Sequence, residues 1–162
     1  MAISGTFRKV LISTSFVLLG ILIGGYLFSG TQPRSIIALT NCEDCLAPKD
    51  LLGLLGSIGV QKFDGSIPGV IYETDKTVVI SHPEPTTPVH YVVIPKKDIK
   101  NAAGITAEDT PYLADAFAVM SKLIEDDGLV QYKITTNGPG LQAVTYLHFH
   151  LTSNEGPEQL AN

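Results

Sequence analysis

From residue 10 to residue 28 the chain reads VLISTSFVLLGILIGGYLF, nineteen residues without a charge. A small domain cannot place such a helix on its surface, because a surface helix needs a polar face to meet water. Rising 1.5 Å per residue, the run spans roughly 28 Å as an α-helix, close to the hydrocarbon thickness of a bilayer. Arg8 and Lys9 precede it and only Arg34 follows closely, a bias that keeps the amino end in the cytoplasm and exports what comes after. The expectation is a membrane-anchored chain, held through this helix, with its soluble part on the non-cytoplasmic side, periplasmic or extracellular. A cleaved signal peptide competes with the retained anchor, although FSGTQ after the run is a weak cleavage site. A buried helix and an organellar signal are the remaining readings.

Without that block about 120 to 130 residues remain, enough for one domain with its own core. A hydrophobic content of 44% sets the chain apart from disordered sequences. The acidic groups all lie after Asn41. Setting aside Arg8, Lys9 and Arg34 from the 11 basic residues leaves 8 against 16 acidic ones, a net charge near −8. Such a surface repels a phosphate backbone, which argues against a nucleic-acid polymer as partner and still admits a single nucleotide in a pocket.

Residues 29–35, with Gly30 and Pro33, read as a linker. Asp50 is placed to cap a short helix over 51–57, which Gly53, Gly56 and Gly59 keep weak. β-Branched and aromatic residues mark strands over 70–73, 77–81 and 90–94, the first two spaced as a hairpin. Pro83, Pro85 and Pro88 stiffen the connection to the third. Thr110 is read as the cap of the main helix, 111–126, where Leu113, Phe117, Met120 and Ile124 recur at steps of three and four. Asp127 and Gly128 end it. Two longer strands follow over 129–136 and 143–151, joined by NGPGLQ. The set predicts an α+β fold, an antiparallel sheet of about five strands with one main helix, preceded by a transmembrane helix.

In TYLHFHL a period of two puts Tyr146, His148 and His150 on one face and Leu147, Phe149 and Leu151 on the other. Two exposed histidines on a half-buried strand, or two satisfied core residues, account for this pattern as readily as a site does. The upstream NGPGLQA tips the balance. It offers Gly138, Gly140 and the side chains of Asn137 and Gln142, and amides in a glycine-containing turn can gather around an anion. A donor-rich loop beside two imidazoles is what attack at phosphorus would use.

IPGVIYETD, PVHYVVIPKKDI, NGPGLQAV and YLHFHL, in that order, resemble successive blocks of the histidine-triad superfamily, named for its His-x-His-x-His-x-x motif. The resemblance covers most of the chain after residue 40. It implies a domain over 39–152, with 1–9 as a cytoplasmic N-terminus, 10–28 as anchor or signal, 29–38 as linker and 153–162 as a flexible tail. Members bind purine nucleotides and cleave or transfer nucleoside monophosphates through a covalent nucleotidyl-histidine on the middle motif histidine. His148 matches that position, His150 matches the last histidine, the usual partner of the phosphate, and His90 matches the histidine before VIPK. The candidate catalytic residues are therefore His148 and His150, and the candidate substrate-binding residues are Asn137, Gly140, Gln142 and His82. Related domains form two-fold dimers through the main helix and a strand, so the resemblance also implies a homodimer.

The departures are specific. Tyr146 stands where the first histidine would be, and Ala143 replaces a serine that often supports the phosphate. His82 takes the strand-end place of an acidic residue that commonly holds ribose hydroxyls, and Asp98 replaces a histidine that often follows PKK. The phosphate end is better kept than the nucleoside end, and loss of the serine donor should slow the reaction more than abolish it. In the implied mechanism neutral His148, its far nitrogen held by a carbonyl or polar neighbour, attacks phosphorus. His150 and the loop amides stabilise the charge, and water releases the product. That scheme requires no cofactor.

Cys42 and Cys45 have metal-ligand or redox spacing. Some histidine-triad proteins use such a pair with the VIPK histidine and the first motif histidine around structural zinc, which here would join Cys42, Cys45, His90 and Tyr146. A phenol is a poor ligand near neutral pH, His82 is a substitute if its loop folds back, and export favours a disulfide. Structural zinc, a disulfide and free thiols all stay open. The leading expectation is a hydrolase or transferase of a small phosphoanhydride or phosphoramidate, a nucleotide conjugate or phosphate ester, working through a histidine–phosphorus intermediate. A non-catalytic nucleotide-binding or structural domain, and an exported pyrophosphatase of a nucleotide-activated lipid, are the alternatives.

Overall fold

The computed structural model describes residues 5–31, 48–62 and 69–156, in two compact units, Met1–Gly30 and Thr31–Asn162. The first is helix α1 (Gly5–Phe28). From Arg8 to Phe28 it is long and apolar enough to cross a membrane, a test that a signal sequence also passes. Its large apolar side chains are exposed around the whole circumference, Phe16 at 69% and Leu22 at 71%. The polar Ser15 within the run donates its hydroxyl to the Leu11 carbonyl at 3.0 Å, which satisfies it inside the helix.

The second unit contains α2 (Pro48–Lys62), β1 (Val70–Glu73), β2 (Thr77–Ser81), β3 (Val89–Pro95), α3 (Thr110–Asp126), β4 (Tyr132–Thr135) and β5 (Phe149–Ser153), with two 3-10 turns before α3. The strands form one antiparallel sheet in the order β1-β2-β3-β5-β4. This is the α+β arrangement that the strand and helix signals predict. Thr74 organises the β1–β2 turn by accepting the amides of Lys76 and Thr77, and its hydroxyl donates to Asp115 of α3 at 2.5 Å. The hairpin is thereby tied to the main helix.

One face of the sheet packs on α3, where Val79, Val93, Phe149 and Leu151 meet Ala116, Val119, Met120 and Leu123. Of the predicted stripe Met120 is buried and Leu113 and Ile124 pack against the core, and only Phe117 falls outside it. Ala116 and Val119 lie at the contact, their small size allowing close approach, while Phe117 is 49% exposed and reaches Phe149 only ring to ring at 5.5 Å. The cap is also displaced. Thr110 is already helical and Asp109 is the N-cap, its buried carboxylate taking the Thr106 amide and hydroxyl and pairing with Lys97 at 2.6 Å. Lys97 first, then the Thr106 donors, hold that carboxyl below its ordinary range against the opposing effect of burial. At the other end Gly128, with φ of 61°, takes the left-handed conformation that stops the helix.

Three other expectations are corrected. Helix α2 runs for 15 residues instead of the seven over 51–57. Burial of Leu54, Ile58 and Val60, and of Ser57 donating to the buried Asp98 at 3.0 Å, outweighs the low helix propensity of its glycines. Strand β4 is shorter than 129–136. Strand β5 begins at Phe149, not at Ala143, and continues to Ser153. The chain before it is held instead by Thr145 N–H on the Lys49 carbonyl (3.2 Å) and Leu147 N–H on the Ile99 carbonyl (2.6 Å). Those donors are drawn away from the sheet, so the ladder cannot start earlier.

Candidate active site

The chain has four histidines, and the fold brings all four together. His90 lies in β3 and His150 in β5, where Val92 sits opposite His150 and His90 opposite Thr152. His90 and His150 are therefore diagonal neighbours on one face, within reach of each other. Their rings meet with His90 Nε2 3.0 Å from His150 Nδ1. His82, one residue beyond β2, continues the ladder by donating its amide to the His90 carbonyl at 2.9 Å, and its ring stacks on that of His90 at 4.1 Å. His148 meets His150 edge to face at 5.0 Å. Its backbone is steadied by Thr136, whose hydroxyl donates to the His148 carbonyl at 2.8 Å.

The hydrogen bonds assign opposite tautomers to the two candidate catalytic rings. His148 Nδ1 lies 2.7 Å from the Tyr146 carbonyl, which can only accept. Nδ1 therefore carries the proton and Nε2 keeps its lone pair. For His150 the chain of bonds runs the other way. The Thr86 amide donates to His90 Nδ1 at 3.4 Å, so His90 holds its proton on Nε2 and donates it to His150 Nδ1. His150 is left with its proton on Nε2. One ring offers a nucleophilic nitrogen and the other a donor, and neither needs a net charge. Burial first, then the neighbouring His148, His90 and His82, pulls the His150 pKa down to about 4. Burial and then His82 lower that of His90. The neutral form of His90 and His150 avoids the repulsion that adjacent imidazolium groups would suffer.

His82, His148 and His150 open onto a cleft of about 470 Å³, walled by apolar side chains including Ile80, Val92 and Ile94, with Asn137 at its edge and Val60 of α2 on another side. Gly140 and Gln142 are not among its lining residues. Gln142 is turned inward, its amide donating to the carbonyls of Lys100 (3.1 Å) and Tyr146 (3.5 Å), so it braces the loop that carries His148. The turn also spends two of its own donors, since the amides of Leu141 and Gln142 both go to the Gly138 carbonyl. Ala143 and Val144 do line the cleft, and among the described residues no backbone acceptor is recorded for their amides.

Tyr146 is buried at 4% exposure and donates its hydroxyl to the Pro95 carbonyl at 2.8 Å. A phenol held in this way does not fit the four-ligand zinc set that the resemblance implies, and His90 Nε2 is directed at His150. Cys42 and Cys45 lie outside the described residues. Sequence reasoning offered His82 beside His90 as a substitute ligand but missed His150 as the third member, each of the three offering a nitrogen within 4.8 Å of the others. The available signal was the even spacing of His90 and Val92, which places both on one strand face, but only the pairing of β3 with β5 gives it meaning.

Residues 63–162 match the family model described as scavenger mRNA decapping enzyme C-term binding. An uncharacterized HIT-like protein of Synechococcus elongatus is 35% identical over 85 residues, which cover 51% of this chain and 75% of the relative. The chain belongs to the histidine-triad superfamily. Solved histidine-triad structures agree. A HIT family hydrolase from Legionella pneumophila is 28% identical with a TM-score of 0.54, covering 59% of this chain and 90% of that one. Another from Clostridium thermocellum is 29% identical with a TM-score of 0.53, covering 59% and 88%. Within this histidine-triad chain three of the departures, His82, Ala143 and Tyr146, line the cleft, whereas the fourth, Asp98, is buried away from it and accepts the Ser57 hydroxyl.

Proposed function

We propose that this histidine-triad domain is a hydrolase or transferase of phosphoanhydrides or phosphoramidates of nucleotide type, with His148 as nucleophile. The observation that carries the reading is the 2.7 Å contact of His148 Nδ1 with the Tyr146 carbonyl, which leaves Nε2 unprotonated on a ring that lines the cleft. Nε2 attacks phosphorus, and the leaving group departs with the bonding pair and takes a proton from solvent. The ring becomes cationic as the nitrogen–phosphorus bond forms, and the Tyr146 carbonyl stabilises that charge through Nδ1–H. His150 donates from Nε2 to a phosphoryl oxygen, with the amides of Ala143 and Val144 beside it. Water then attacks phosphorus and gives up a proton to solvent, and the bond to nitrogen breaks with its electron pair returning to Nε2, which restores neutral His148. The substrate contacts assigned to Asn137 and His82, which line the cleft, belong to the same proposal, while Gly140 and Gln142 act through the loop that Gln142 braces. Arg8 and Lys9, in the first turns of α1 ahead of its uncharged run, support residues 10–28 as an anchor with the 39–152 domain outside the cytoplasm.

The test is incubation of the full chain, in detergent, with adenosine 5′-phosphoramidate. Release of adenosine monophosphate and a nucleotidyl adduct on the protein are expected, and both should vanish in His148→Ala. An adduct that survives the substitution would remove His148 from the mechanism. The apolar walls of the cleft, together with α1, favour a second reading in which the substrate is a nucleoside diphosphate-lipid. Cleavage of that lipid in preference to the phosphoramidate would establish it.

A further inference from the structure

His82 and His90 lie nearly parallel, with ring centroids 4.1 Å apart and planes 7° from parallel. The amides of Glu84 and Thr86 meet their Nδ1 atoms at 3.1 and 3.4 Å, so both rings direct Nε2 away from the proline-rich turn. His150 stands there, its Nδ1 3.0 Å from His90 Nε2. Each of the three rings offers one nitrogen within 4.8 Å of the other two. Among the described residues no lysine or arginine lines the adjoining cleft, so none of them sets a fixed positive charge against a cation there. Three imidazoles suit zinc and its first-row neighbours, with a fourth position open to water or a phosphate oxygen. Magnesium and calcium, which prefer oxygen ligands, are poorly served by this set.

We propose that His82, His90 and His150 form a three-nitrogen site for a divalent transition metal of the zinc type. It differs from the cysteine-containing zinc site that the family resemblance implies, since neither a thiolate nor Tyr146 takes part, and one of its ligands is a candidate catalytic residue. The inference does not depend on the hydrolase reading, because its readouts are those of metal binding alone.

Loading the site exchanges hydrogen bonds for ligation. In the metal-free arrangement His82 and His90 accept an amide at Nδ1 and hold their protons on Nε2. Ligation through Nε2 moves each proton to Nδ1, where it faces the N–H of Glu84 or Thr86, a donor against a donor. Those two amides are released and the turn over 83–88 rearranges, while no net proton is lost. His150, ligated through Nδ1, keeps the Nε2–H tautomer it already has. His148 remains on the Tyr146 carbonyl.

The full chain in detergent, carrying Cys42→Ser and Cys45→Ser and stripped by a chelator, is titrated with Co²⁺ and then Zn²⁺. One Co²⁺ per chain is expected, with visible absorption lacking thiolate-to-metal charge transfer, displaced by Zn²⁺ and accompanied by shifts of the Glu84 and Thr86 amide resonances. His82→Phe, which keeps a ring stacked on His90, should weaken Co²⁺ by at least about tenfold with unchanged thermal melting. His148→Ala should leave Co²⁺ binding intact. Failure of the cysteine-free chain to bind, or equal affinity in His82→Phe, overturns the proposal.

Discussion

The two faces of the β3–β5 pair are made from alternate residues of the same strands and follow opposite physical rules. On the α3 side Val93, Phe149 and Leu151 are close-packed with Met120 and Leu123, all of them buried. On the other side His90 and His150 are only half-buried and beside a cleft, held by hydrogen bonds instead of by packing. Dispersion and the removal of water hold the first face, and its residues are interchangeable in kind provided that volume is kept. Direction holds the second. Each imidazole there has a defined donor or acceptor, so a change of one atom alters the state of the next ring.

That contrast makes separable predictions. The largest effect should come from the open face, where His148→Ala is expected to reduce phosphoramidate turnover on the order of 10³-fold or more while the unfolding midpoint stays near that of the parent. A comparable fall in stability would mean that His148 belongs to the packing after all. Leu151→Ala on the packed face should do the opposite, lowering stability by ~2–5 kcal/mol in denaturant titrations through loss of buried volume, with turnover per folded molecule preserved. His90→Phe removes the donor that sets the His150 tautomer. A drop of about 10- to 100-fold in kcat with little change in KM is expected. Partial recovery in His90→Gln, whose amide can still donate, would distinguish a hydrogen-bonding role from a steric one.

A smaller effect concerns pH. The unfolded chain should protonate His150 near 6.5, whereas in the folded, metal-free protein its pKa is about 4. Between these values the unfolded state binds more protons, so stability falls as pH drops from about 6.5 to about 4 and is fully retained above. Melting temperatures measured with chelator across that window should show the decline, and His150→Phe should flatten it. The smallest change expected is from Ala143→Ser, which restores a hydroxyl at the cleft rim and should raise turnover by a few-fold at most. No gain in steady-state rates would place the missing donor elsewhere.

Local periodicity was legible without coordinates. The alternation of Leu147, Phe149 and Leu151 with His148 and His150 assigns burial correctly even though the ladder starts only at Phe149. The helix ending at Gly128 and the β1–β2 hairpin were equally visible, because their signals lie within a few residues of one another. The length of α2 was not, since its glycines argue against a long helix and only burial of Leu54 and Ile58 reverses that. The inward turn of Gln142 was also hidden, because the carbonyl it meets belongs to Lys100, 42 residues away. What the sequence by itself determined is which residues share a face, a property carried by steps of two and of three to four. Which faces meet was decided only in three dimensions. The β3–β5 pairing joins segments 60 residues apart at His90 and His150, and strand order depends on the summed burial of the whole sheet, for which no local pattern exists.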